Sequence, residues 1–233
     1  VLKMQPYRVI MTGISPVVIS GIAPSLDGIL YEAASQVLAT DRPDVIHAWL
    51  RKILLFSDEL GVFHASSLTF GITPERGVNA VFSVRCDCFN DEKLSSSMFS
   101  PRIHRGKFPR VRLSGGPTRQ RLTERPACAA PYYVFDFVGV REPILQLLTM
   151  TFVGVGYDVF SAGNGQFTDV SIIPLDEDNS IDAGGVAMRP VPVNAGLQGR
   201  RGVSPLVPPY FVGEKRDVIF PEPVRINLIS NLL

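Results

Sequence analysis

The hydrophobic period of this chain switches from two residues to 3.6 at two places, and that switch limits the fold more than any other feature. "PYRVIMTGIS" (6–15) alternates and reads as a first strand, ended by Gly13 and Pro16. "SLDGILYEAASQVLAT" (25–40) then predicts a helix with Ser25 or Asp27 as its cap. Its apolar stripe is Leu26, Ile29, Leu30, Ala33, Ala34, Val37 and Leu38. The pattern returns in "PYYVFDFVGV" (131–140), an aromatic and β-branched strand. "REPILQLLTMTFVG" (141–154) follows with helical periodicity, and Pro143 lies in its first turn, where proline is tolerated. "FTDVSIIPL" (167–175) predicts a further strand.

Between the two units, "DVIHAWLRKILLFSDEL" (44–60) predicts a second helical run between Pro43 and Gly61. "FHASSLTFGI" and "VNAVFSVRCDCF" (78–89) are strand-like. Beyond residue 175 come an acidic tip, "DEDNSID", and a Pro/Gly-rich tail that predicts short strands separated by prolines. With 44–60 set aside, the order is strand, helix, strands, basic loop, strand, helix, glycine loop, strand. That is the split βαβ–βαβ pattern of an α+β, ferredoxin-like (RRM-like) fold. The expected division is a domain over 1–178, with a basic insertion at about 98–126, and a β/loop-rich extension over 179–233 packed on it.

At 233 residues, with 45% hydrophobic and 19% charged, the chain can bury a core without disulfide or metal staples. No apolar run reaches the roughly 18–20 residues of a membrane span, and no signal peptide is expected at the N-terminus. Cys86, Cys88 and Cys128 have neither zinc nor redox spacing; Cys86 and Cys88 share a strand face and read as small packing groups. A reducing, cytoplasmic setting is the expectation.

The net charge of +1 conceals an asymmetry. Residues 99–125 hold eight cations, seven of them Arg, against Glu124 alone, which leaves fifteen cations and twenty-one carboxylates for the rest of the chain. Arginines interleaved with Phe99, His104 and Phe108 suit bidentate phosphate contacts and stacking on bases. A solvated surface loop is the blander alternative.

"FVGVGYDVFSAGNGQF" (152–167) carries Gly154, Gly156, Gly163 and Gly165. It is not a dinucleotide fingerprint: Val159 stands where the third glycine is needed, and the flanking order is helix, loop, strand. It is not a Walker loop either, since no Lys lies between residues 108 and 214. Its glycines permit close approach of a backbone, and its N–H groups could form an anion-binding concavity; a plain connector is the alternative. His47, His64 and His104 show no metal-ligand spacing, and nothing in the sequence pairs them with a second acid or base. Asp27 and Glu32 are too far around a helix to form a carboxylate dyad.

Three features together resemble the RAMP superfamily of CRISPR effector proteins. "SPVVISGIAPSLDGILYEAASQ" (15–36) is similar to that superfamily's strand–loop–helix opening, "FVGVGYDVFSAGNGQFTDVSI" (152–172) to its glycine-rich loop, and the basic segment to its protruding thumb. The size and the LDGIL opening look most like the capping subunit of type IV complexes. The resemblance implies a non-catalytic, antiviral-defence ribonucleoprotein subunit without cofactor or metal. It would hold the 5′ handle of a crRNA, cap the filament of backbone subunits, and meet a large subunit where target DNA enters, away from any membrane. By position, Gly154, Gly156, Ser161, Gly163, Asn164 and Gly165 would approach the RNA backbone, with no basic residue between Gly156 and Gly165 to help. Arg102, His104, Arg105, Lys107, Arg110, Arg112, Arg119 and Arg121 would supply the thumb. The alternative is a metal-independent CRISPR-repeat endoribonuclease using His104 or His64. A third reading is an unrelated ferredoxin-like module that binds nucleic acid generally.

Overall fold

The computed structural model describes residues 3–87, 121–222 and 226–228. The fold is α+β, with mostly antiparallel sheets. Strand β1 (Gln5–Gly13) leads to helices α1 (Leu26–Leu38) and α2 (Pro43–Leu50), then to short strands β2 (Phe56–Ser57), β3 (Val62–Phe63) and β4 (Thr69–Ile72). Strands β5 (Asn79–Asp87) and β6 (Arg121–Ala129) form a two-stranded ribbon, paired from Asn79 opposite Ala129 to Asp87 opposite Arg121. Strand β7 (Tyr132–Gly139), helices α3 (Arg141–Met150) and α4 (Val159–Ala162), and strand β8 (Phe167–Pro174) follow. The tail contributes β9 (Asp182–Ala183), β10 (Val186–Ala187), β11 (Val191–Pro192), β12 (Arg200–Ser204), β13 (Arg216–Phe220) and β14 (Ile226–Leu228).

The main sheet has five strands in the order β14-β4-β7-β1-β8. Only β14, parallel to β4, breaks its antiparallel pairing. Alternation sorts the two central strands. Tyr7, Val9 and Met11 of β1 join Tyr133, Phe135 and Phe137 of β7 in a core completed by Leu26, Ile29, Leu30, Ala33 and Ala34 of α1 and Ile144 and Leu147 of α3. The intervening residues face the other way. There Arg8 and Asp136, directly opposite in register, make a bidentate pair of 2.7 and 2.8 Å.

Several predicted boundaries shift, each for a local reason. The apolar stripe of α1 is broken at Val37, which is exposed, while Leu38 still packs partly buried against the core, and the helix ends on Ala39 in the left-handed region. Ser25 occupies the N-cap position, but its hydroxyl donates to the Asp27 carboxylate rather than capping the helix. The helix expected over 44–60 ends at Leu50. The Leu55 N–H donates to the Val138 carbonyl, the Val140 N–H donates to the Ile53 carbonyl, and Phe56 packs edge-on against Phe63. Tertiary pairing with the end of β7 thus overrides the helical period of "KILL". The helix expected over 141–154 ends at Met150, because Gln36 grips the Phe152 peptide through both its amide groups. The end of the basic segment, 121–125, is strand rather than loop.

One buried residue ties the tail to this frame. Arg189 is fully buried; its guanidinium donates to Asp27 Oδ2 at 3.0 Å, to the carbonyls of Ala65 and Leu206 at 3.2 and 2.9 Å, to the Tyr210 hydroxyl at 2.9 Å, and to the Phe63 carbonyl. Burial opposes its charge, but Asp27 and Tyr210 outweigh that and raise its pKa. A second apolar cluster, with Val218, Ile219 and Phe220 of β13 against Val191, Leu206 and Val62, fills in behind it. Arg189→Met should lower unfolding free energy by about 3–5 kcal/mol in urea, because it strands the Asp27 carboxylate in the core. Adding Asp27→Leu should recover much of that loss, since replacing both charges removes the stranded one.

Candidate nucleic-acid interface

The glycine loop is held by the strip Ser15–Val18. The Gly165 N–H donates to the Pro16 carbonyl at 2.8 Å, and the Tyr157 N–H donates to the Val18 carbonyl at 2.9 Å. The Ser15 hydroxyl donates to the Gly163 carbonyl at 2.7 Å and accepts from the Gln166 N–H at 2.8 Å. Buried Tyr133, its hydroxyl pushed up to about 12 by desolvation, donates to the Ser15 carbonyl from below. The other side of the strip is bound to β6: Val17 and Cys128 exchange two backbone bonds of 2.9 Å. The two sequence stretches 15–36 and 152–172, distant in the chain, are therefore hydrogen-bonded neighbours.

The glycines serve close approach to the protein's own backbone. A Cβ on Gly165, whose φ is +62°, would lie 1.7 Å from the Val155 carbonyl oxygen, and one on Gly156 would lie 2.6 Å from that of Val18. Gly154 packs on Val159, while Gly163 caps α4, where a Cβ would meet only Gln166 Nε2 at an ordinary 3.7 Å. The N–H groups of Val155, Tyr157, Gly163 and Gly165 all donate within the chain. As folded, these four are not available to a phosphate, which corrects the anion-concavity reading for this part of the loop. Ser161 lies in α4. Asn164 is buried, with its Oδ1 accepting from the Ser83 hydroxyl at 2.7 Å and its Nδ2 finding no partner among the described residues.

Cations reach the loop from the ribbon. Alternation along β5 and β6 turns Ser83, Arg85 and Arg125 toward the loop and leaves Phe82, Val84 and Leu122 exposed on the other face. Arg85 Nη1 lies 3.4 Å and Arg125 Nε 3.0 Å from the two oxygens of Asp158. The Arg125 contact is too bent to be a hydrogen bond, so its attraction is ionic. The same guanidinium sits 4.5 Å over the Tyr157 ring. Of the thumb residues predicted from sequence, Arg121 is exposed on β6; Arg102, His104, Arg105, Lys107, Arg110, Arg112 and Arg119 lie outside the described residues.

Beside the loop runs a cleft of about 470 Å³ between the first two turns of α1 and residues 154–160. It continues into a second space of about 440 Å³ toward Val18, Ile22 and Phe211, with Ser25, Tyr157 and Tyr210 common to both. The Gln36–Phe152 clamp holds together the two elements that form its walls. Phe152 and Phe160, exposed and 5.6 Å apart, stand beside it. Arg125 belongs to the basic segment counted from sequence, whereas nothing in the sequence singles out Arg85, Tyr157 or Asp158, although the two-residue period of "FSVRCD" places Ser83 and Arg85 on one face.

The histidines divide. His47 Nε2 meets the Pro208 carbonyl at 2.5 Å between the rings of Tyr31 and Phe63, a packing role. His64 Nδ1 lies 2.7 Å from Asp178 Oδ2, so it does have a carboxylate partner, contrary to the sequence expectation. Burial works against the Asp178 charge, yet hydrogen bonds from His64 and Ser180 hold its carboxyl below the ordinary value. Among the described residues no group of His, Cys, Asp and Glu is placed to hold a metal ion, and no helix is long and apolar enough to cross a membrane. No protein-family model matches the chain, and no curated protein matches it.

Two measurements check this geometry. Gly165→Ala should cost about 3 kcal/mol or more in urea unfolding, through both its φ and the Val155 carbonyl, whereas Gly163→Ala should cost only the strain of the left-handed region, about 1–2 kcal/mol. Because the Asp178 pKa is depressed, the stability it contributes is present above the ordinary value of 3.8 and is lost as pH falls through the lower folded value. Asp178→Asn should therefore flatten the acid limb of a stability–pH curve below that point.

Proposed function

We propose that this chain is a non-catalytic, crRNA-binding subunit of the RAMP superfamily, built on the ferredoxin-like form of its α+β fold. It holds the 5′ handle of the guide RNA and caps the filament of backbone subunits in a cytoplasmic, type IV-like CRISPR complex, beside the large subunit and incoming target DNA. The fold assignment draws on the strand order β8-β1-β7-β4, antiparallel throughout, with α1 between β1 and β4 and α3 between β7 and β8. One observation carries the functional reading: the glycine loop after the second sheet-packing helix is braced by arginines of the same ribbon whose strands enclose the basic segment. A chain of net charge +1 that concentrates eight of its 23 cations in one sequence segment, and whose described ribbon runs beside a cleft with exposed aromatic rings, is suited to a single-stranded polyanion. Because the loop's own N–H groups are largely used, its phosphate contacts fall to the arginines.

The endoribonuclease reading is favoured by the His64–Asp178 pair, since a carboxylate on Nδ1 orients an imidazole for acid–base work. Incubation with labelled repeat RNA in EDTA separates the two. The subunit reading expects intact RNA; specific cleavage abolished by His64→Ala or His104→Ala would overturn it. For binding, RNA ending in the repeat-derived 5′ handle should bind more tightly than arbitrary single-stranded RNA of equal length, with a steep salt dependence. Replacing Arg110, Arg112 and Arg119 by Ala should reduce the log–log salt slope by about 2, at about 0.7 per phosphate neutralised on a single strand. Equal affinity for both RNAs would favour the general nucleic-acid module, and an unchanged slope would reduce the basic segment to surface.

A further inference from the structure

The cleft between α1 and the glycine loop has the chemistry of a base-reading site, and we infer that it takes one unstacked guanine of the bound strand. This rests on the RNA-binding reading above and specifies what that site recognises. Its walls are apolar and aromatic: the Tyr157 ring, about half exposed, lines both spaces, and Phe160 lines the first. Absence of a side chain at Gly28 leaves room beside the Tyr210 ring, which a Cβ there would touch at 3.4 Å. The open cleft, of about 470 Å³, falls within the range of about 300–1,000 Å³ typical of small-ligand sites.

The polar groups select the occupant. Asp158, also on the lining, is taken up by Arg85 and Arg125 and is largely buried, which leaves Glu32 as the solvent-facing carboxylate on the lining. A carboxylate accepts and does not donate, so it favours a base edge with adjacent N–H donors. Guanine offers N1–H and the N2 amino group side by side, a bidentate match; uracil flanks its one N–H with two carbonyls that a carboxylate repels. Outside the cleft, Arg125 lies over Tyr157 and is one-third exposed, so it can meet the phosphate next to a base stacked on that ring. An arginine side chain from a protein partner could also meet Glu32, but on Tyr157 it would face the like charge of Arg125. The nucleotide is the better complement.

The test compares a short labelled oligouridylate with the same oligomer carrying one guanosine, moved through each position, by fluorescence anisotropy on the full chain. One register should bind on the order of ten-fold more tightly than oligouridylate, the discrimination of a good bidentate pair. Glu32→Ala, at an exposed helix position, should erase that preference, and Tyr157→Ala should weaken binding of the guanosine oligomer. No guanosine preference in any register, or a preference that survives Glu32→Ala, overturns the base-reading assignment while leaving the RNA-binding subunit intact. Failure of wild-type protein to bind either RNA overturns the RNA reading itself. An arginine-bearing peptide that binds in a Glu32-dependent way, without guanosine preference, assigns the cleft to a protein partner instead.

Discussion

The arrangement of the candidate site depends on one short ladder, the strip Ser15–Val18 hydrogen-bonded to the glycine loop on one side and to β6 on the other. Its bonds fix three things at once: where the loop lies, how the cationic ribbon leaves the body, and how wide the cleft beside α1 stands. Backbone groups of an irregular segment need partners when buried, and here each side supplies them for the other. The ladder can form only because Gly165 and Gly156 let backbones approach where any Cβ would collide. The glycines therefore act by compaction rather than by flexibility. A loop this tightly bonded is a rigid platform, and rigid platforms hold recognition groups in place better than mobile ones.

Arg189 plays the corresponding part for the tail. A buried ion pair is seldom a large net source of stability, since desolvation of two charges offsets most of their attraction. Its effect here is specificity. Asp27, on the first turn of α1, accepts from Arg189, Tyr210, Ser25 and the Gly28 N–H together, so the tail can dock in only one register. That register places Tyr210 and Phe211 along the cleft. The tail's irregular chain, short strands and prolines included, is thus a wall of the site as well as a cover for the second apolar cluster.

What the sequence disclosed follows the range of the physics. The strands and helices of the two βαβ-like units were legible because local patterns encode them: β7, buried along nearly its whole length, reads as a strand from aromatic and β-branched content, and α1 as a helix from its apolar stripe. The boundaries were less so, because partners far along the chain set them: Val138 ends the run after α2, and Gln36 ends α3. Arg189 could not be found, as nothing local distinguishes an arginine that will be buried against Asp27 from one that stays in water. The glycine loop is legible in the sequence, but whether its N–H groups face a phosphate or the chain itself is not, since partners such as Ser15, bonded to Gly163, lie 148 residues away. The His64–Asp178 pair was missed for the same reason.

On the proposed reading, the two parts of the interface would divide the labour of binding a charged strand. Arginines on a projecting ribbon act through long-range attraction that any phosphate satisfies, so they supply affinity and association rate but no selectivity. Selectivity needs a short-range contact that a wrong base leaves unpaired, and such a contact needs fixed walls. The Asp158 carboxylate links the two parts. It holds Arg85 and Arg125 against the glycine loop and offsets part of their charge, which on the proposed reading would leave the cleft itself to a base rather than to a second phosphate. Removing that one carboxylate would convert a graded boundary between phosphate and base into a uniformly cationic surface, with stronger binding and poorer discrimination as the physical consequence.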